Sequence, residues 1–109
     1  MGRPIVREFT QEKTIDKFFN EKGRAKCLVP QSMGVDDGKG NLIVKAGTPF
    51  PADDSTCKGY IYVDVDVTRG DAPGTYRFEG DINNQVLQEN GVTVSDESKK
   101  ATPRVTFWD

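Results

Sequence analysis

The sequence has no histidine. That absence removes the most versatile acid–base group near neutral pH and the commonest metal ligand. A Ser-His-Asp triad, a Cys-His pair and any zinc site built on histidine are excluded. The chain is also poor in apolar residues, which make up 35% of its 109 positions. Mean hydropathy is −0.61, so the core is thin or part of the chain is ordered only against a partner. No stretch approaches the ~18 apolar residues of a membrane-spanning helix. Cysteine is scarce too, with Cys27 and Cys57 alone. Residues 1–6 carry neither the apolar run nor the small-residue cleavage site of a secretory leader, and Val6 stands where a myristoylation signal needs Ser or Thr. The two thiols are therefore expected to stay reduced, as small buried hydrophobes.

What is present is unevenly charged. Residues 1–30 hold seven Lys and Arg against four Asp and Glu, whereas residues 31–109 hold eight against thirteen. The net −2 is thus the difference between a basic beginning and an acidic remainder. A solvated helix explains this, and so does a basic region that docks on an acidic surface. Nucleic acid is not expected, because no RNP-like motif, Gly-flanked basic run or zinc-finger spacing accompanies the charge.

Residues 1–9 read as an extended arm, since Pro4 disfavours helix at Arg3. Residues 11–22 read as a short helix with Thr10 as N-cap, Ile15, Phe18 and Phe19 on one face, and Gly23 past its end. From residue 24 the text changes to strands and turns. Strands are expected at 25–29, 42–46, 59–67, 75–79 and 104–108, with turns at 36–41 and 68–74. Residues 47–51 cannot form a central strand, because Pro49 and Pro51 remove two ladder donors, and a stiff extended loop is expected instead. In 59–67 the alternation is strict: Ile61, Val63, Val65 and Val67 face the core, and Tyr60, Tyr62, Asp64 and Asp66 face water. At 75–79, Tyr76 and Phe78 share one face, with Arg77 and Glu79 on the other. Residues 81–89 suit a helical turn or a loose strand equally, 92–94 a short strand or turn, and 96–100 a solvated loop. The whole is mainly β: a compact β-sandwich or barrel-like module at 24–109, with an extended N-terminal arm and one short helix at 1–23.

Candidate chemistry is sparse. Asp64 and Asp66, with Asp71 nearby, could ligate a divalent cation, but no Gly-rich phosphate loop leads into a helix, and a solvated edge face explains the acids as well. The Asp36–Asn41 turn fails the calcium-loop pattern, because Val35 falls on a ligand position in either alignment. Glu79 and Asp81 carry no informative spacing, and neither cysteine has a histidine to activate it. By elimination the chain is not read as an enzyme. No metal or cofactor is expected. Trp108 either covers one end of the core or anchors an interface.

Two turns in order carry a resemblance. The run Leu42-Ile-Val-Lys-Ala-Gly-Thr-Pro-Phe-Pro-Ala-Asp-Asp54 is followed by Gly59-Tyr-Ile-Tyr-Val-Asp-Val-Asp-Val-Thr68 and then Gly70-Asp-Ala-Pro-Gly-Thr75. This resembles the head decoration or head fibre proteins of tailed bacteriophages, over residues 42–75. The resemblance implies a capsid accessory protein without catalysis or cofactor. Such a protein binds the major capsid protein on the outer surface of the virion, as trimers at local three-fold axes or singly at hexamer centres. It also implies a compact β module with an arm that orders on the capsid. The residues expected to make that contact are Arg3, Pro4, Ile5, Val6, Arg7 and Phe9 of the arm, and Gly47, Thr48, Pro49, Phe50 and Pro51 of the stiff loop. A carbohydrate-binding β domain with Tyr60 and Tyr62 as its platform is one alternative. A head–tail connector component assembling as a ring is another, and a small metal-dependent enzyme using Asp64 and Asp66 a third.

Overall fold

The structure is a computed structural model that describes residues 14–18 and 22–109. It is mostly β. Nine strands run in chain order: β1 Arg24–Val29, β2 Val35–Asp36, β3 Leu42–Val44, β4 Pro49–Phe50, β5 Gly59–Ile61, β6 Val65–Asp66, β7 Ala72–Arg77, β8 Gly80–Asn83 and β9 Val105–Trp108. Two short helices, α1 Asn84–Glu89 and α2 Asp96–Ala101, separate β8 from β9. The strands form three small sheets, ordered β1-β7-β5-β4, β2-β3-β6 and β8-β9. Among the described residues none closes into a barrel, so barrel-like closure is not found.

The four-stranded sheet is the middle layer, because adjacent residues of β5 are buried on opposite faces. Tyr60 belongs to a cluster with Ile15, Ala46, Cys57, Ile82, Val86, Leu87 and Val105, whereas Ile61 belongs to one with Val29, Val44, Val65 and Val67. The period-2 geometry of a strand requires that split. One face is covered by the three-stranded sheet and the other by β8, β9 and α1. Gly74 allows the first packing: a Cβ there would lie 2.8 Å from Val29 Cγ2 and 3.1 Å from Val65 Cγ2. Cys27 borders one cluster and Cys57 sits in the other, both as free thiols.

Several expectations need correction. The strand expected over 59–67 is broken at Tyr62–Asp64, and its halves serve different sheets. Ile61, Val65 and Val67 do share one core, but Tyr60 is fully buried in the other. Arg77, expected on a wet face, has no exposed surface at all, because it lies in register with Tyr60 across β5 and β7 and faces the same interior. The second half of the expected 68–74 turn is strand: β7 begins at Ala72, and Pro73 is tolerated where β5 no longer pairs. Residues 49–50 form an edge strand, which spares the prolines a central position while still giving Pro49 a partner in Tyr60. Residues 96–101 are helical. Ser95 accepts from Ser98 N–H as N-cap, Asp96 and Glu97 fill the first turn, and Lys99 and Lys100 the last. The ambiguous 81–89 segment is both things in succession, β8 and then α1.

Of the helix expected at 11–22, residues 11–13 and 19–21 lie outside the described residues, as does the arm at 1–9. Thr14–Phe18 is not helical. It runs beside β8 through a bridge between Asp16 and Ile82. Ile15 N–H donates to Tyr62 O at 3.3 Å, Asn83 N–H to Ile15 O at 2.7 Å and Lys17 N–H to Asp81 O at 3.0 Å. Ile15 is fully buried, so tertiary packing overrides a helix that would be marginal in isolation.

Candidate functional site

Arg3, Pro4, Ile5, Val6, Arg7 and Phe9 lie outside the described residues. The point at which their segment joins the fold is well defined. Asp16 is nearly buried and faces fully buried Arg77, with Nε to Oδ1 at 2.5 Å and Nη2 donating to Oδ2 at 2.8 Å. Arg77 Nη1 donates to Lys22 O at 2.8 Å and to Glu79 O at 2.9 Å. Tyr62 donates its hydroxyl to Asp16 Oδ2 at 3.2 Å, and its ring lies 5.2 Å from the Arg77 guanidinium. Two carboxylate oxygens, a forked cation and an aromatic face thus fix residue 16 to the middle sheet.

The second predicted segment, 47–51, forms a lip at the edge of that sheet. Gly47 N–H donates to Ile61 O at 2.7 Å, Ile61 N–H to Thr48 O at 3.0 Å, and Lys58 N–H to Phe50 O at 2.7 Å. Thr48 Oγ1 donates to Lys45 O at 2.7 Å. Gly47 has φ +98°, and a Cβ there would come within 2.7 Å of Leu87 Cδ1, so glycine is demanded by both backbone and space. Gly47 and Pro49 are buried, Thr48 and Phe50 half-buried, and Pro51 exposed. Phe50 stacks on Tyr76 with centroids 5.3 Å apart, and the Phe50–Pro51 peptide is cis. The lip therefore presents Thr48, Phe50 and Pro51, with Gly47 and Pro49 as its frame. Beside it opens a cleft of about 300 Å³ lined by Val35, Lys45, Thr48, Pro49, Asn90 and Val92, among others.

The two halves of the candidate site adjoin. A Cβ on Gly47 would stand 3.7 Å from Ile15 Cγ2, so the segment bearing the arm enters next to the lip. Sequence spacing gives no sign of this, because the two are more than thirty residues apart.

Other candidates are engaged elsewhere. Asp64 Oδ1 accepts from Ala46 N–H at 2.8 Å, and Asp66 Oδ1 from Thr68 N–H at 2.9 Å. The Thr68 hydroxyl and N–H hold the Asp66 carboxyl below its ordinary value. Among the described residues no group of three or more Cys, Asp or Glu gathers as a metal site. Glu79 Oε1 lies 3.9 Å from Arg104 Nη1, and Asp81 accepts from Trp108 Nε1 at 2.8 Å. Tyr60 is buried and shares a hydrogen bond with Thr102 at 2.8 Å, while Arg24 and Arg77 lie over the Tyr62 ring. The two tyrosines therefore offer no shared exposed platform for a sugar. Trp108 is 43% exposed and meets Phe18 edge-on at 5.5 Å. Burial pushes the Cys27 thiol up, away from the thiolate that nucleophilic chemistry needs. No described helix is long and apolar enough to cross a membrane.

No protein-family model matches the chain, no curated protein matches its sequence, and no solved structure matches its fold.

Proposed function

We propose that this chain is a capsid accessory protein of a tailed bacteriophage. In this reading it is made in the host cytoplasm and binds the major capsid protein on the outer surface of the head, which it reinforces or furnishes with a fibre. The observation that carries the reading is the fixed root of the N-terminal segment. Ile15 is sunk in the core and Asp16 is tied to Arg77, so residues 3–9 follow an anchor that does not have to be found on binding. Arg3 and Arg7 supply charge-assisted hydrogen bonds, and Ile5, Val6 and Phe9 supply apolar contact. Ordering such a segment costs conformational entropy but lets a small protein cover a wide surface. Thr48, Phe50 and Pro51, which adjoin the root, supply a stiff second contact.

The finer architecture of this reading is a β-sandwich, formed where β1-β7-β5-β4 faces β2-β3-β6, with an extended arm and a short helix before it. The reading asks for no catalysis, cofactor, metal, nucleic acid or membrane. It admits self-association as a trimer on the lattice.

The test is co-sedimentation of the purified protein with empty heads that lack it. Deleting residues 2–9 is expected to leave thermal unfolding unchanged and to abolish co-sedimentation. Undiminished binding by the truncated protein refutes the assignment of the arm. Binding of neither protein to any head, with a closed ring in solution by mass measurement, favours the connector alternative.

A further inference from the structure

Asn90 and Gly91 form the one Asn-Gly pair in the sequence, and they stand where α1 ends. Asn90 N–H donates to Val86 O at 3.0 Å and Gly91 N–H to Gln88 O at 3.1 Å. The Asn90 side chain crosses to another part of the chain, where Nδ2 donates to Ala46 O at 3.0 Å. Asn90 has φ −86° and ψ −2°. Gly91 has φ +71°, and a Cβ there would meet nothing within 4 Å. The glycine thus serves the backbone conformation and leaves its nitrogen unshielded by any side chain.

We propose that Asn90–Gly91 is a self-modification site held closed by the fold. When the end of α1 opens, Gly91 N attacks Asn90 Cγ. The new N–Cγ bond closes a five-membered imide. Gly91 N gives up its proton to solvent, and the side-chain amide nitrogen takes one from solvent and leaves as ammonia. Water then adds across one of the two imide carbonyls, and the chain is left with aspartate or isoaspartate at position 90. Only water is consumed.

Three features of the folded state oppose the first step. Ring closure requires Cβ and Gly91 N to lie nearly eclipsed about the Cα–C bond, and ψ −2° instead places Asn90's own N in that position. The attacking N–H is held by Gln88 O. The leaving amide is held by Ala46 O. The Asp37–Gly38 pair at the β2–β3 turn is a built-in contrast. The Lys39 N–H and other bonds hold the Asp37 carboxyl below its ordinary value, and an ionised carboxylate is a poor electrophile.

The product does not fit the site. Aspartate has no N–H to give Ala46 O, and it sets a carboxylate against that carbonyl. Ala46 is fully buried and precedes Gly47, so the change loosens the joint between α1 and the lip. The inference stands on this geometry and does not depend on the capsid reading.

The test uses the full chain. Incubated at mildly alkaline pH and digested for mass spectrometry, it is expected to convert Asn90 at least about tenfold more slowly when native than in urea, since the native rate scales with the open fraction. Equal rates in the two conditions overturn the proposal, as does no conversion in urea. For the consequence, Asn90→Asp is compared with Asn90→Ala, which also lacks the donor. At neutral pH Asn90→Asp is expected to have the lower unfolding midpoint. The gap should close as pH falls below the carboxylate range and the charge is lost. Identical midpoints at every pH overturn the claim that the product strains the joint.

Discussion

Arg77 is the largest side chain with no solvent exposure, and its charge is tolerable only because Asp16 faces it. Removing a buried charge from water costs several kcal/mol, and a partner offsets that cost only with good geometry and further hydrogen bonds. Here Nη1 bonds two carbonyls and the Nε/Nη2 edge faces both carboxylate oxygens. Breaking one half should therefore cost more than the pair contributes. Arg77→Ala leaves Asp16 buried without its cation, and a loss of about 3–5 kcal/mol is expected from the urea midpoint. Arg77→Lys should recover little, because an ammonium cannot reproduce the fork. The double variant Asp16→Ala/Arg77→Met should lose much less than the two single changes combined. Additive losses would remove the pair from the account. Alternation in the sequence assigns Arg77 to solvent because Tyr76 and Phe78 flank it. The residue that reverses this is 61 positions away, and no local pattern could reach it.

At the scale of elements, α2 depends on one loop. Ser98 is fully buried and donates to Asp53 Oδ1 at 2.6 Å. Ser95 N–H donates to the same oxygen at 2.9 Å. Burial pushes the Asp53 carboxyl up, but the Ser98 and Ser95 bonds outweigh it and hold the group below its ordinary value. A carboxyl depressed in the folded state stabilises fully above its unfolded value of 3.8, and that contribution is lost as pH falls through the lower folded value. Ser98→Ala is expected to cost about 1–3 kcal/mol at neutral pH, the range for hydrogen bonds to charged groups. Its deficit against the native chain should shrink as pH drops below the carboxylate range, read from unfolding midpoints across an acid series. A deficit independent of pH would assign the loss to packing alone. The helix itself was legible in principle: Ser95 precedes two acids, and two lysines close the run, which is a complete start-and-stop signature. Its high polarity made it read as a loop. Residues 25–29, 42–46 and 104–108 were legible because their apolar runs are bounded by turn residues or prolines. The break at Tyr62–Asp64 was not, because both halves keep one alternation while pairing with different sheets. Of the candidate site, the stiffness of 47–51 could be read from its prolines. The burial of Gly47 and Pro49 could not, since Leu87 and Tyr60 arrive from elsewhere in the chain.

For the molecule as a whole, the N-terminal segment decides where the folded unit begins. Composition divides the chain at residues 23 and 24, yet Ile15 and Asp16 lie within the interior on the N-terminal side of that division. Ile15 packs with residues of β5, β8, β9 and α1, joining the middle sheet to the layer that covers it. A truncation series separates the two descriptions. Deleting residues 2–9 removes neither residue, so the unfolding midpoint should be unchanged. Deleting residues 2–18 empties the Ile15 site, for which a large aliphatic side chain typically contributes about 2–5 kcal/mol. It also leaves Arg77 buried without Asp16. The two losses share one region and will not simply add, but either is large for a domain whose total stability is about 5–15 kcal/mol. Circular dichroism of the two proteins on heating is expected to give a native-like transition for the first and a strongly lowered or absent one for the second. Equal midpoints would mean that everything before residue 24 is an appendage. A difference places the root of the arm in the core, and an arm rooted there transmits a pull on residues 3–9 to the β5–β7 pair through Asp16 and Arg77.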